Sequence, residues 1–255
     1  MGRRMVGEMK MRFSEHPFIA RLGRLMNIEP GDLDDFTQLI EDDRVVSKQH
    51  DLVVQGDEFR NLCFVRDGYA IRYRLLRNGK RQILNVILPG DVIGFPVGFF
   101  ESSIYSVVAV SGLTYNVCPF AAYVQLCYQR PKFGLALSWL MAQEAATYAE
   151  HVVGLGRRRP VERLANFLLE IHSRLRDVGR ADETGFDLPF SQKIMSDVLG
   201  LSVPHLNRTM QQLRSDGLIS SHPPFVEFTD IASLKKLAQY QSRELTKIPP
   251  GVTKA

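Results

Sequence analysis

From Val45 to Val117, hydrophobic and polar positions alternate in short runs, at 45–46, 52–54, 62–65, 69–76, 82–88, 106–110 and 113–117. Period-two alternation puts successive side chains on opposite faces, so these runs predict strands. Glycines separate them at Gly56, Gly68, Gly79, Gly90, Gly94 and Gly112. Asn78-Gly79, set between Tyr73-Arg74-Leu75 and Ile83-Leu84, suits a tight hairpin turn whose central residues take positive φ. About eight short strands with no intervening helices predict an antiparallel roll, jelly-roll-like, and exclude a parallel α/β sheet.

On either side the period lengthens to that of a helix. Residues 13–40 read as short helices punctuated by Pro17 and Pro30-Gly31, with Leu33, Phe36, Leu39 and Ile40 at helical spacing. After the strands, Pro119 and Pro131 open two further helices. The second carries Leu137, Met141, Tyr148, Val152 and Leu155 down one side, thickened by alanines. Such an apolar stripe on a long helix predicts the seam of a two-chain dimer. Gly154 and Gly156 predict the end of that helix, because each glycine costs about 1 kcal/mol in a helix interior. Pro160 then opens another helix, with Val161, Leu164, Phe167, Leu168 and Ile171 as its buried face.

A polar loop over 177–187 leads into FSQKIMSDVLGLSVPHLNRTMQQLRSDG at 190–217. Ser191 can cap a first helix bearing Ile194, Met195, Val198 and Leu199; Gly200 supplies the positive φ that ends it. Ser202 can cap a second helix, 202–213, which turns Leu206, Met210 and Leu213 inward and His205, Asn207, Arg208 and Gln211 outward. Two helices over a short glycine turn, the second with a polar outer face, predict a helix-turn-helix that lays its second helix in a DNA major groove. Asp216-Gly217, Leu218-Ile219, Pro223-Pro224 and Phe225–Phe228 predict a two-stranded wing. Asp230 caps a last helix with Leu234 and Leu237, and a polar tail over 241–255 is expected to be disordered.

The whole is α+β, with five parts. A helical lead-in (1–30) precedes the roll (31–130), the dimerisation helix (131–156), a winged helix-turn-helix domain (157–240) and the tail. At 255 residues, 45% apolar and 24% charged, the composition is that of a globular protein. No stretch reaches the roughly 20 apolar residues that span a bilayer, so no membrane partner and a cytoplasmic location are expected. Met1, Met5, Met9 and Met11 are all possible starts. The net charge is +4, and the stretch 151–176 alone, with six arginines against Glu162 and Glu170, accounts for it. A local basic patch of this kind suits phosphate contacts. Cys63, Cys118 and Cys127 are widely separated, so clustered thiolate ligands for zinc or iron–sulfur are not expected.

The order of roll, long helix and winged helix-turn-helix resembles the Crp/Fnr family of bacterial transcription regulators. The resemblance covers about residues 30–240, and its most specific parts are GDVIG at 90–94, VERLANFLLEI at 161–171 and LGLSVPHLNRTMQQLRSDGLI at 199–219. It implies a homodimer on a two-fold symmetric site in double-stranded DNA, with RNA polymerase as a further partner. Arg208 matches the family's base-contacting arginine, a side chain able to bond O6 and N7 of guanine together. Asn207 stands where the family has serine or glycine. Pro204 replaces a glutamate that accepts from cytosine, so with Val203 it implies a half-site different from that of the best-known members. Ser202 and His205 are candidates for phosphate contact.

The effector pocket departs further from the family. Cyclic-AMP-binding members carry a glutamate directly after the GDxxG glycine and an Arg-Ser pair some residues later. Here Phe95 follows Gly94, and Tyr105 precedes Ser106, with Pro96, Phe99, Phe100 and Ile104 making the rest apolar. A phosphate buried without a cation is costly, which argues against cyclic AMP. No cysteine precedes Cys63, which argues against the family's iron–sulfur branch; haem would have to lean on His50 or Cys63. No cofactor and no metal site are therefore expected. A cupin-type enzyme would need several histidines on the strands, and only His50 lies at their edge. The alternative is a small-molecule sensor whose C-terminal domain contacts protein instead of DNA.

Overall fold

The computed structural model describes residues 15–95 and 97–241. The four candidate start methionines, the tail beyond 241 and Pro96 lie outside the described residues. The described residues divide into two compact units: 82–85 and 144–241 group together as the second, and the other described residues form the first.

In the first unit, helix α1 (Pro17–Leu25) starts at His16, whose Nδ1 accepts from the Phe18 N–H at 3.1 Å. Helix α2 (Pro30–Leu39) starts with a capping box, in which Asp32 accepts from the Glu29 N–H at 2.8 Å. Eight strands follow: β1 (Arg44–Val46), β2 (Asp51–Val53), β3 (Asn61–Asp67), β4 (Ala70–Leu75), β5 (Arg81–Ile87), of which residues 82–85 group with the second unit, β6 (Val92–Ile93), β7 (Ser106–Ala109) and β8 (Leu113–Pro119). They form two four-stranded sheets, ordered β1-β8-β3-β6 and β2-β7-β4-β5. Gly79 takes φ +76° in the β4–β5 turn, where the Leu76 N–H bonds the Lys80 carbonyl. Strand β6 falls inside the GDVIG motif; two residues are too few to display a period.

One face of the first sheet meets helices. Phe64 of β3 packs edge-on against Phe18 and Phe36, with ring centroids 4.6 and 5.0 Å away, and Phe36 stacks on Phe133. Asn116 of β8 faces the same way and bonds His16 at 3.2 Å. Cys63 and Val65 point to the opposite face and are also buried, so this central strand reads as an unbroken apolar run instead of an alternation. Arg21 of α1 ties the turn before β6 in place, donating to the Gly90 carbonyl and to Asp91 at 2.6 Å. Asp91 in turn accepts from the Leu88 N–H. Helix α3 (Phe120–Gln129) and the start of α4 (Pro131–Arg157) complete this core.

Helix α4 does not end at its glycines. It continues through Gly154 and Gly156 to Arg157 and stops before Pro160. At Gly154 an added Cβ would lie 3.5 Å from the Arg163 side chain, an ordinary van der Waals contact. The residues of the expected dimer seam differ in exposure. Leu137 is 4% exposed within the first unit's own core, whereas Val152 and Leu155 are 71% and 45% exposed.

In the second unit, α5 (Pro160–Arg176) is followed by β9 (Gly185–Asp187), α6 (Gln192–Leu199), α7 (Val203–Ser215), β10 (Ile219–His222), β11 (Phe225–Phe228) and α8 (Ile231–Ala238). The wing has three strands, not two, because β9 pairs with β11 inside what reads as a polar loop. Its one apolar side chain, Phe186, is wholly buried beside Phe228 and His172. Three residues with one anchor give too short a pattern to recognise.

Candidate nucleic-acid interface

The turn between α6 and α7 is built from local chemistry. The Ser191 hydroxyl accepts from the Ile194 N–H at 3.4 Å, capping α6. Gly200 takes φ +61°, and its N–H and that of Leu201 return to the Ser196 carbonyl, closing the C-terminus. The Ser202 hydroxyl then accepts from the His205 N–H at 3.4 Å. Pro204 sits in the first turn of α7, where an N–H has no intrahelical acceptor and its loss costs nothing.

Helix α7 separates its faces. Leu206, Met210 and Leu213 are buried, as their spacing requires, and Thr209 joins them by returning its hydroxyl to the His205 carbonyl at 2.8 Å. Ser202, Pro204, Asn207, Arg208, Gln211 and Gln212 are exposed, while Val203 and His205 are half-buried. The exposed side chains at the N-terminal end thus form one outward patch. At the other end Arg214 donates from Nε and Nη2 to the Ser221 hydroxyl, at 2.9 and 2.6 Å, joining α7 to β10. That tether spans a turn and a change of element, so no local pattern announces it.

The arginine-rich stretch contributes less free charge than its composition suggests. Arg158 pairs with Glu150 at 2.6 Å, Arg159 with Glu162 at 2.6 Å and Arg174 with Glu170 at 3.0 Å. Three of the six arginines are thereby spent on the protein itself. Burial lowers the pKa of Arg163, whose Nε is buried without a hydrogen-bond partner.

The pocket residues expected in the roll are placed as follows. Gly94 takes φ +100° against the Asn61 carbonyl, and Phe95 packs within an aromatic group with Phe99 and Phe120, 5.3 and 6.3 Å away. Ser106 is buried and its hydroxyl accepts from the Gln55 N–H at 3.0 Å. Tyr105 is 4% exposed, and the guanidinium of Arg72 lies over its ring at 4.4 Å. A buried cation therefore does stand beside Tyr105, contrary to the sequence expectation. Arg72 lies on β4, over thirty residues before Tyr105, and only strand pairing brings the two together.

Burial pushes the thiols of Cys63 and Cys118 up to about 12, which keeps them protonated and unreactive. Among the described residues no group of three or more His, Cys, Asp or Glu side chains is placed to hold a metal ion. Nor is any helix among them long and apolar enough to cross a membrane.

Comparison with known proteins matches both halves of the chain. Residues 43–128 fit the model of the cyclic nucleotide-binding domain, and residues 162–237 that of the Crp-like helix-turn-helix domain. The nitrogen fixation regulation protein FixK of Bradyrhizobium diazoefficiens is 31% identical over 175 residues, 68% of this chain and 72% of FixK. The transcriptional activatory protein AadR of Rhodopseudomonas palustris is 28% identical over 89% of this chain and 93% of its own. Among solved structures, FixK2 from Bradyrhizobium japonicum superposes with a TM-score of 0.70 at 24% identity, covering 79% of this chain and 98% of FixK2. These relatives are transcription regulators, and neither matched family model is that of a catalytic family. On these grounds the chain belongs to the Crp/Fnr family of transcription regulators, with its helix-turn-helix DNA-binding domain in the C-terminal half.

Proposed function

We propose that the protein acts in the cytoplasm as a homodimer on a two-fold symmetric DNA site, reading each half-site with α7 and contacting RNA polymerase when bound. The roll (31–130) serves as sensor, the long helix (131–156) as dimer element and residues 157–240 as DNA reader. The observation that carries this reading is the outward patch at the N-terminal end of α7, backed by a fully buried opposite face. Arg208 is the base reader, and Asn207, Val203 and Pro204 contact base edges beside it. Ser202 and His205 approach the phosphates. Ser202 suits that role because its oxygen accepts from the helix while its hydroxyl hydrogen is left to donate outward. Dimer contacts fall to Met141, Tyr148, Val152 and Leu155.

The roll works without cyclic AMP. Phe95 leaves no carboxylate after Gly94 to hold a ribose. No iron–sulfur cluster or other cofactor is required, since the three thiols are far apart in sequence and two are deeply buried. The proposal is tested by binding Arg208→Ala to every single-base variant of a bound half-site. Loss of discrimination at one base pair per half-site, about 1–3 kcal/mol, is the expected result. An equal loss on all sequences would make Arg208 a phosphate contact and overturn its assignment as reader.

A further inference from the structure

Within the second unit, three elements meet at one imidazole. His151 is carried by α4. Its Nε2 lies 2.8 Å from a carboxylate oxygen of Glu170 on α5, and its Nδ1 lies 3.3 Å from the carbonyl oxygen of Leu84 on β5. The side chains of His151 and Glu170 are only 17% and 8% exposed. Beside them Asn85, also buried, donates to Glu144 of α4 at 2.9 Å. Residues 82–85, a few positions of a strand in the roll, are thus held against the helix that leads to the DNA-binding domain.

Both partners of the ring can only accept. A carbonyl oxygen has no proton to give, and Glu170 is held ionised. Burial alone would raise the pKa of Glu170, but His151 and Arg174 outweigh it and lower it. A neutral imidazole has one N–H and can satisfy one of the two acceptors; an imidazolium has two and satisfies both. We propose that His151 is a charge-dependent latch, closed when protonated, that ties the Leu84 segment to α5 and so makes DNA affinity respond to pH near neutrality. Losing the ring proton breaks one of the two bonds, so the single imidazole no longer holds the Leu84 carbonyl and the Glu170 carboxylate together.

The surroundings favour the closed form. Burial lowers the pKa of His151, but the carboxylate of Glu170 and the two acceptor bonds outweigh it, so the pKa is raised overall. The cations that oppose it are already engaged or set apart. Arg174 pairs with Glu170 from α5, and Arg158 pairs with Glu150 on α4 itself. Arg163 of α5 lines the adjoining cavity, to which α6 adds only Val198 and Leu199. From β5 the facing groups are a carbonyl and the Asn85 amide, the latter bonded to Glu144.

Two readouts on the full-length chain test this. Ring-labelled histidine NMR, with His151 assigned by its loss in His151→Gln, should show a midpoint above the ordinary value of about 6.5. In Glu170→Gln that midpoint should fall to or below it. DNA affinity, measured on a selected site, should step with pH through the wild-type midpoint, by about tenfold for each unit by which the pKa differs between free and bound forms. The step should vanish in His151→Gln, whose amide keeps a donor toward Glu170 but cannot titrate. If Glu170→Gln fails to fold, His151→Gln decides the question. A wild-type midpoint at or below 6.5, no step, or a step that survives His151→Gln would each overturn the latch. The NMR readout needs no DNA, so it separates failure of the latch from failure of the DNA-binding reading.

Discussion

A β-carbon at position 94 would sit 2.1 Å from the Asn61 carbonyl oxygen, on a backbone already at φ +100°. Gly94→Ala is therefore expected to destabilise the protein by about 2–4 kcal/mol, as strain and overpacking combine. A lowered urea midpoint would show it, and an unchanged midpoint would mean that the β3–β6 pairing yields. His16 makes a second prediction. Burial is the main cause of its pKa falling from 6.5 to about 4, against a weaker upward pull from Asn116. The folded state then binds fewer protons than the unfolded chain between those values. Stability is therefore full above about pH 6.5 and declines as pH falls toward about 4, by about 3 kcal/mol. His16→Asn keeps a cap for the Phe18 N–H but cannot titrate, so its acid limb should be flatter in pH-dependent denaturation. Ser191, Gly200 and Ser202 were legible in sequence because each acts within three or four positions of itself. Arg72, His16 and Glu170 were not: their partners lie 33, 100 and 19 positions away, and no local spacing encodes those meetings.

Periodicity located the strands and helices well but misjudged where some of them end. Helix α4 crosses two glycines because an intrinsic cost of about 1 kcal/mol each is small against tertiary contacts. The stripe from Leu137 to Leu155 is continuous in sequence yet divided in use. Its first residue belongs to the unit's own core, and its last ones face outward. A helical stripe reports which side is apolar, not what covers it. Val152→Asp places a charge on a side chain that is 71% exposed in the single chain, so folding should be unaffected. If α4 pairs with a second copy, the uncompensated charge in that seam costs on the order of a few kcal/mol. Sedimentation or light scattering should then report the monomer mass, with an unchanged circular dichroism spectrum. A dimer that persists would remove Val152 from the interface.

The order of the parts carried most of the functional reading. A helical hairpin at 190–217 is common by itself, but one that follows a roll and a long helix belongs to a family with a defined mode of DNA binding. What the order could not supply is the half-site. Val203 and Pro204 put apolar groups where a polar pair is usual, so base preference must be measured. The most direct test is selection from a library of randomised duplexes, repeated across salt concentrations. Two inverted half-sites whose centres lie about one helical turn, roughly 34 Å, apart should be enriched, the spacing at which helix-turn-helix dimers present their paired helices. Affinity for the enriched site should fall steeply and linearly in logarithmic salt, as phosphate contacts release counterions. Enrichment of no inverted repeat, or of a single half-site bound equally well alone, would contradict a dimer that reads DNA through paired α7 helices.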